Sequence, residues 1–211
     1  MKQNDGRRQA GAMTRARLIE ATKDVLADAG RSGLSLRTVS AAAGTNIAAV
    51  KYHFGSRDAL IDEVLEDLIG QLTARQIAAL DALACSDRCG DVRSWVIAWA
   101  GPLIEVIVSD TPENRRLGRI IGRALGDRVD LAPQVRALVG DADKRLVRGL
   151  AQALAPIADA EVWLRVTVMA SALAGLAGDA FTPMLQRAAT AEPLRERLID
   201  VLEPLACGPL T

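Results

Sequence analysis

Residues 35–54 of the chain read SLRTVSAAAGTNIAAVKYHF, a stretch that carries two short apolar patterns on either side of a glycine. Apolar residues recur three and then four positions apart in both patterns: Leu36, Val39 and Ala43 in the first, and Ile47, Val50 and Phe54 in the second. Each pattern predicts a short helix with one narrow apolar stripe. Two such helices, with their stripes facing each other across a tight turn, form a helix-turn-helix.

Residues that begin and end helices stand at suitable places in this stretch. Ser35 is a candidate N-cap for the first helix, and Gly44 can adopt the left-handed conformation that ends it. Thr45 or Asn46 then caps the second helix. The sequence therefore predicts a turn of only a few residues.

The face of the second helix opposite its apolar stripe suits DNA. The small side chains of Ala48 and Ala49 would let the helix lie deep in a major groove and contact thymine methyl groups, and Asn46 would pair with an adenine edge. Basic and hydroxyl side chains around them suit phosphate oxygens. The candidate DNA-binding residues are Arg37, Thr45, Asn46, Ala48, Ala49, Lys51, Tyr52 and His53. The alternative is a plain helical hairpin inside a larger α-helical domain.

The segment from residue 14 to residue 60 resembles the DNA-binding domain of the tetracycline-repressor (TetR) family of bacterial regulators. Matching residues run through the whole segment: Thr14-Arg15, Ala21, Gly30, Leu36, Val39, Ala43-Gly44, Val50, Tyr52-His53-Phe54, Ser56 and Leu60. Ala48 stands where that family frequently has glycine, and Lys51 where it frequently has tyrosine. Both departures leave the fold unchanged and bear on the base preference.

The resemblance implies an all-α chain, with a three-helix helix-turn-helix domain followed by a helical-bundle domain that binds a ligand and dimerises. It also implies a homodimeric repressor that binds a pseudo-palindromic operator in double-stranded DNA and is released by a small-molecule effector. An apolar content of 50% is ample for a core. Composition also favours an all-α fold, because aromatic residues make up only 3% of the chain, Ala and Leu dominate, and no run of alternating β-branched residues occurs. Two alternatives stay open, an activator of the same fold and a helical ligand-binding protein or enzyme without DNA function.

The formal net charge of zero hides an asymmetry between the two ends of the chain. Residues 1–58 contain 10 Lys and Arg against 5 Asp and Glu, a net charge of +5, and the remainder contains 16 against 21, a net charge of −5. A basic helix-turn-helix end with an acidic body is the charge distribution expected of a protein that binds a polyanion at one end.

Glycine and proline residues mark the boundaries of the helices predicted in the rest of the chain. A first helix is predicted from about Thr14 to Ala29, and a long connecting helix from Arg57 to about Leu83. The body helices are predicted at 91–108, 112–125, 132–155, 159–180 and 193–206. We place the DNA-binding domain at 1–56, with 1–12 as a flexible arm, and the effector-binding and dimerisation domain at 57–211.

Two functional sites are predicted in the body. An apolar effector pocket with a basic group, suited to a largely apolar molecule with one anionic group, would be formed by Trp95, Trp99, Ile104 and Arg119. The alternatives are core packing for the tryptophans and a solvated face for the arginine. Small residues on the helix from 159 predict close packing on a second subunit, through Val166, Ala170, Leu173, Ala174 and Gly178. Ordinary packing within the chain is the alternative.

The sequence contains no pattern typical of a catalytic site, a metal site or a membrane span. The single histidine lies in the DNA segment, and Cys85, Cys89 and Cys207 have no metal-type spacing, so we expect no cofactor, no metal site and no enzyme. The N-terminus lacks the apolar core of a signal peptide, and no uncharged apolar run is long enough to span a membrane. The sequence predicts a cytoplasmic protein.

Overall fold

The computed structural model describes residues 2–126, 131–178 and 191–208, and its regular elements in these ranges are all α-helices. In chain order they are α1 (Lys2–Gly33), α2 (Leu36–Ala42), α3 (Ile47–Phe54), α4 (Arg57–Ala84), α5 (Val92–Val108), α6 (Pro112–Gly126), α7 (Pro133–Ala153), α8 (Asp159–Ala177) and α9 (Ala191–Cys207). The predicted all-α fold is confirmed. The predicted end of the 159–180 helix falls partly on residues 179 and 180, which lie outside the described residues.

Two compact units make up the chain, Met1–Asp67 and Leu68–Thr211. The boundary lies within α4, whereas the sequence analysis placed it at the start of that helix. The first turns of α4 belong to the N-terminal unit because Leu60 and Ile61 are fully buried there. Arg57 also donates to the carbonyl oxygen of Leu34, at 2.7 Å, and so fixes the beginning of α4 to the loop that precedes α2.

The N-terminal unit is a small helical domain with one apolar core. Its buried side chains come from all four of its helical segments and include Leu18, Leu26, Val39, Val50, Leu60, Ile61 and Val64. Fully burying one such side chain stabilises the fold by about 1.5–3 kcal/mol. The core therefore holds α2 and α3 in a fixed relation to α1.

Helix α1 begins well before the predicted start at Thr14. Residues 2–12 are helical in the structure, and the Thr14 hydroxyl donates to the carbonyl oxygen of Ala10, at 3.0 Å, across the predicted start. The sequence pattern missed this part because Arg8, Gln9 and Ala10 are exposed and the helix has no apolar stripe to bury there. The proposed mobility of residues 1–12 stays a prediction.

Helices α5 to α9 and the later part of α4 form the C-terminal unit around a second core. Trp95, Trp99 and Ile104 on α5 are buried at its centre. Arg93, near the start of α5, ties α9 to it through ion pairs with Glu196 at 3.2 Å and Asp200 at 2.8 Å. Hydrogen bonds to Glu203 and to Asp200 raise the pKa of the arginine.

Helices α6 and α8 cross at very short range. A Cβ atom placed on Gly122 would lie 2.4 Å from the Gly178 nitrogen and 2.8 Å from the Ala174 carbonyl oxygen. Gly118 faces the same crossing, because its Cβ would lie 3.3 Å from the Ala177 carbonyl oxygen. The small residues on these helices thus serve packing inside one chain.

Candidate nucleic-acid interface

The helix-turn-helix begins with a reciprocal cap on α2. The Ser35 hydroxyl oxygen accepts from the backbone nitrogen of Thr38 at 3.0 Å, and the Thr38 hydroxyl oxygen accepts from the backbone nitrogen of Ser35 at 2.9 Å. These two bonds satisfy donors that would otherwise lack partners at the start of the helix. The prediction of Ser35 as N-cap is confirmed.

The turn between α2 and α3 depends on Gly44. Its φ of 59° lies in the left-handed region, as the sequence predicted. Arg17 of α1 donates to the carbonyl oxygens of Ala43 and, at 3.0 Å, Gly44. The guanidinium therefore holds the turn against α1 and partners carbonyls at the end of α2. The sequence analysis missed Arg17 because a single basic residue on an exposed helix face gives no pattern.

Asn46, rather than Thr45, caps α3. The Asn46 Oδ1 atom accepts from the backbone nitrogen of Ala49 at 2.9 Å. The Thr45 hydroxyl oxygen is buried and has no hydrogen-bond partner among the described residues. As placed, that hydroxyl is not available to DNA, which removes Thr45 from the side chains that present a polar group to a ligand.

The outward face of α3 agrees with the sequence prediction. Ala48, Lys51 and Tyr52 are exposed, the last of them by 85%, while Ala49 and His53 are half-buried. Val50 on the opposite face is fully buried. The core therefore fixes which side of α3 is presented to solvent.

Ile47 is the exception to the predicted inward stripe. Its side chain is 43% exposed, although its spacing from Val50 and Phe54 predicted burial. Ile47 is the first residue of α3 and directly follows the cap, so it projects at the open end of the helix-turn-helix. The surface that α3 presents thus has an apolar tip.

Two basic side chains flank the outward face. Arg37 on α2 and Lys51 on α3 are exposed, and neither forms an ion pair with a residue in the described ranges. Other arginines of the unit are engaged: Arg31, for example, pairs with Asp62 at 2.9 Å. Arg37 and Lys51 therefore keep their charges available to an anion beside the outward face of α3.

Arg15 and Phe54 support the C-terminal end of α3. The Arg15 guanidinium lies over the Phe54 ring, 5.1 Å from its centroid, and forms an ion pair with Glu63 on α4. A cation over an aromatic face is attracted by the ring quadrupole. The contact holds the Phe54 ring in place, although the ring is only partly buried.

A narrow cavity lies inside the C-terminal unit, separate from the helix-turn-helix. Its lining comes from α4 to α8: Ile69, Leu72, Thr73, Gln76, Trp99, Leu103, Leu125, Val139, Asp143, Ala170 and Leu173. The cavity has a volume of about 20 Å³, which is enough for about one water molecule. Its polar groups are linked to Trp99, whose indole nitrogen donates to Asp143 at 3.1 Å and whose carbonyl accepts from Gln76 at 2.6 Å.

Of the four residues predicted for the effector pocket, Trp99 lines this cavity and the other three do not. Trp95 lies against the backbone of Gly149 and donates to the Cys89 carbonyl oxygen at 2.7 Å. Ile104 is fully buried in the core, and Arg119 is half-buried on α6. The described lining contains a carboxylate and no lysine or arginine, so the predicted match to an anionic group is wrong for this cavity.

The residues predicted for the dimer interface are covered by other parts of their own protomer. Val166, Ala170, Leu173 and Ala174 are buried within the protomer, and Gly178 packs on α6. Apolar side chains on the other face are exposed instead: Leu164 by 59%, Val168 by 45% and Trp163 by 38%. The small residues were misread because helical spacing identifies a stripe but not the partner that covers it.

Two other features bear on the class of protein. Within the described residues, no group of three or more His, Cys, Asp or Glu side chains is placed to hold a metal ion. Helix α8 is long and apolar enough to cross a membrane by length and composition alone. Its inner face packs in the core and carries the buried Arg165, as in a core helix of a folded domain.

The fold and the outward face of α3 define a helix-turn-helix protein with a helical second unit. A family model for bacterial regulatory proteins of the tetR family matches residues 18–64. The HTH-type transcriptional regulator BetI of Burkholderia mallei (strain NCTC 10229) is 30% identical over 128 residues, 53% of this chain and 63% of the relative's length. Residues 18–64 therefore form a helix-turn-helix domain of the TetR family.

Solved structures share the fold over nearly the whole chain. A transcriptional regulator from Rhodococcus sp. Rha1 is 25% identical, with a TM-score of 0.58 over 89% of this chain and 95% of that one. A TetR family transcription regulator from Marinobacter aquaeolei VT8 is 15% identical, with a TM-score of 0.61 over 94% of this chain and 97% of that one. The described helices, those of the second unit included, thus have the fold of these regulators.

Proposed function

We propose that the chain is a homodimeric repressor, acting in the cytoplasm, that binds a pseudo-palindromic operator and is released from it by a small-molecule effector. The outward face of α3 is the observation that carries the proposal. It joins an apolar tip and small side chains to two exposed cations, Arg37 and Lys51, on an element fixed by a buried core. Such a surface suits a major groove bordered by phosphates.

Two copies of α3 are needed for useful specificity. One short helix reaches only a few base pairs, so a two-fold axis must place two copies on successive major-groove faces, about one DNA turn apart. We expect fragments selected from genomic DNA to share an inverted repeat, and scrambling one half-site to abolish specific binding. Equal affinity of a monomeric protein for one half-site and for the full site would contradict the proposal.

The second subunit is proposed to cover the outer face of α8 and α9. The Arg165 side chain donates to the Ala206 carbonyl oxygen at 3.0 Å, which brings the start of α8 beside the end of α9. We propose that the exposed apolar side chains of the two helices form one strip: Leu164 and Val168 on α8, and Val201 and Leu205 on α9. An exposed apolar strip of this kind is typical of a protein interface.

A single charge tests this interface. Val168→Glu is expected to convert the dimer to a monomer, because the carboxylate would be buried without a partner. Ala78→Glu, at an exposed position of α4, is the matched control and should remain dimeric. The measurement is molar mass by light scattering coupled to size-exclusion chromatography, and a dimeric Val168→Glu protein would place the interface elsewhere.

The effector is proposed to bind in the cavity beside Trp99. The lining is mostly apolar, and ligand sites of drug size need several hundred Å³, far more than the 20 Å³ found. A ligand therefore fits only a conformation in which the cavity is wider. Binding to that conformation alone would shift the protein toward it, which is how an effector could lower DNA affinity.

A further inference from the structure

We infer that Ile47 is a base-specificity residue, which contacts the 5-methyl group of a thymine in each operator half-site. The inference rests on the proposed function, since it presumes that α3 enters a major groove. It goes further because it assigns a readout to a residue whose spacing placed it in the core.

The placement of Ile47 is unusual for its side chain. It is 43% exposed, while Val50 one turn along is fully buried. Lys51 lies four residues after Ile47, so the two side chains occupy the same row on the helix surface, and Lys51 is exposed. A binding partner that covers Ile47 must therefore offer an apolar group to Ile47. It must also carry a negative charge close by, within reach of Lys51.

Base chemistry restricts what the tip can meet. Residues at the N-terminal end of a recognition helix reach the base edges. In the major groove, guanine, adenine and cytosine offer hydrogen-bonding groups, whereas thymine adds a methyl group. Isoleucine over a hydrogen-bonding group would leave that group without water or partner, at a cost in affinity. Contact with a thymine methyl group has no such cost, because a methyl group forms no hydrogen bonds.

The Ile47 side chain extends further from the helix than the small side chains beside it. The Asn46 side chain is held by its cap on Ala49, and Ala48 carries only a methyl group. Ile47 is therefore the largest apolar side chain at the start of α3. The geometry assigns to it the discrimination between thymine and the other bases at one position of the half-site.

Thymine-to-uracil substitution tests the contact, because it removes the methyl group and keeps the base pairing. Each thymine of one half-site in a selected operator is replaced in turn, and binding is measured for the wild type, Ile47→Val and Ile47→Ala. The loss of one buried methyl should weaken wild-type binding about fourfold at one position. Ile47→Ala should bind the thymine and uracil forms equally, and Ile47→Val should fall between.

Lys51→Ala is the matched control, since it should bind more weakly yet keep the full uracil effect. Melting temperatures equal to that of the wild type would show that the Ile47 variants are folded. A full uracil effect in Ile47→Ala, or no uracil effect at any thymine in the wild type, overturns the inference and leaves the DNA-binding proposal standing. Failure to select any sequence overturns both.

Discussion

At the scale of single residues, Asn46 combines a structural role with a proposed recognition role. Its Oδ1 atom already caps α3, so pairing with an adenine would also engage the amide nitrogen. Asn46→Ala is expected to lower the free energy of unfolding by about 1 kcal/mol and to change base preference. Asn46→Ser keeps a cap and should change base preference alone.

Thermal unfolding and selection from randomised half-sites measure the two effects separately. If Asn46→Ala has the same free energy of unfolding as the wild type, the cap contributes little to stability. Unchanged base preference in both variants would limit Asn46 to capping.

Lys51 is predicted to contact a phosphate rather than a base. Lys51→Ala should weaken binding to specific and random DNA alike and lower the slope of log affinity against log salt by about one counterion. Lys23→Ala is the control, because Lys23 is paired with Glu20 on α1 at 2.9 Å. A Lys51 variant with the wild-type salt slope would show that another cation contacts the phosphate.

At the scale of helices, the crossing of α6 and α8 depends on the absence of side chains. Gly122→Ala would place a Cβ 2.4 Å from a backbone nitrogen, so the helices must move apart, and we expect a loss of about 1–3 kcal/mol in the free energy of unfolding. Gly140 on α7 has open space around it. Gly140→Ala should therefore stabilise the protein by about 0.4–1 kcal/mol.

Urea unfolding of both variants measures the difference, which should have opposite signs at the two glycines. Equal effects would mean that α6 and α8 do not approach as closely as described.

The helices and caps could be predicted from the sequence because they follow from local patterns. The bounds of the body helices differ from the predicted ones by at most three residues, and Ser35 and Gly44 act as expected. Partners across the molecule could not be predicted. Helix α8 has apolar residues on both faces, and periodicity does not tell which face is covered by the same chain. Ala174, which we predicted at a dimer interface, is therefore found buried within its own chain.

The positions of Ile47 and Trp95 show the same limit. Spacing placed Ile47 on the inner stripe, but α3 begins at that residue and the core does not extend over it. Trp95 and Trp99 lie one turn apart, yet one packs on Gly149 and the other lines the cavity. Only the arrangement of the neighbouring helices separates them.

At the scale of the whole molecule, control of DNA binding is predicted to begin at the cavity. A compound that releases the operator should change tryptophan emission, because Trp99 lines the cavity. Trp99→Phe should raise the concentration of compound needed for release about tenfold and leave ligand-free DNA affinity unchanged, since one aromatic contact is weakened. Emission and release are measured on the same samples.

Trp163→Phe is the control for this prediction, because Trp163 lies partly exposed on α8, outside the cavity lining. It should respond to the compound as the wild type does. Release of the Trp99 variant at the wild-type concentration would place the effector at another site.

The positions of the cysteines make the protein suitable for selective chemical labelling. The sequence contains three, and all follow Asp67, so a thiol-reactive dye cannot attach to the helix-turn-helix. Cys85 and Cys89 are exposed in the turn between α4 and α5, and burial raises the pKa of the Cys207 thiol, which slows its reaction. A dye on Cys89 would lie near the indole of Trp95, which donates to the carbonyl of that cysteine. Quenching between dye and indole would then report movement at the start of α5 while the DNA-reading surface stays unmodified.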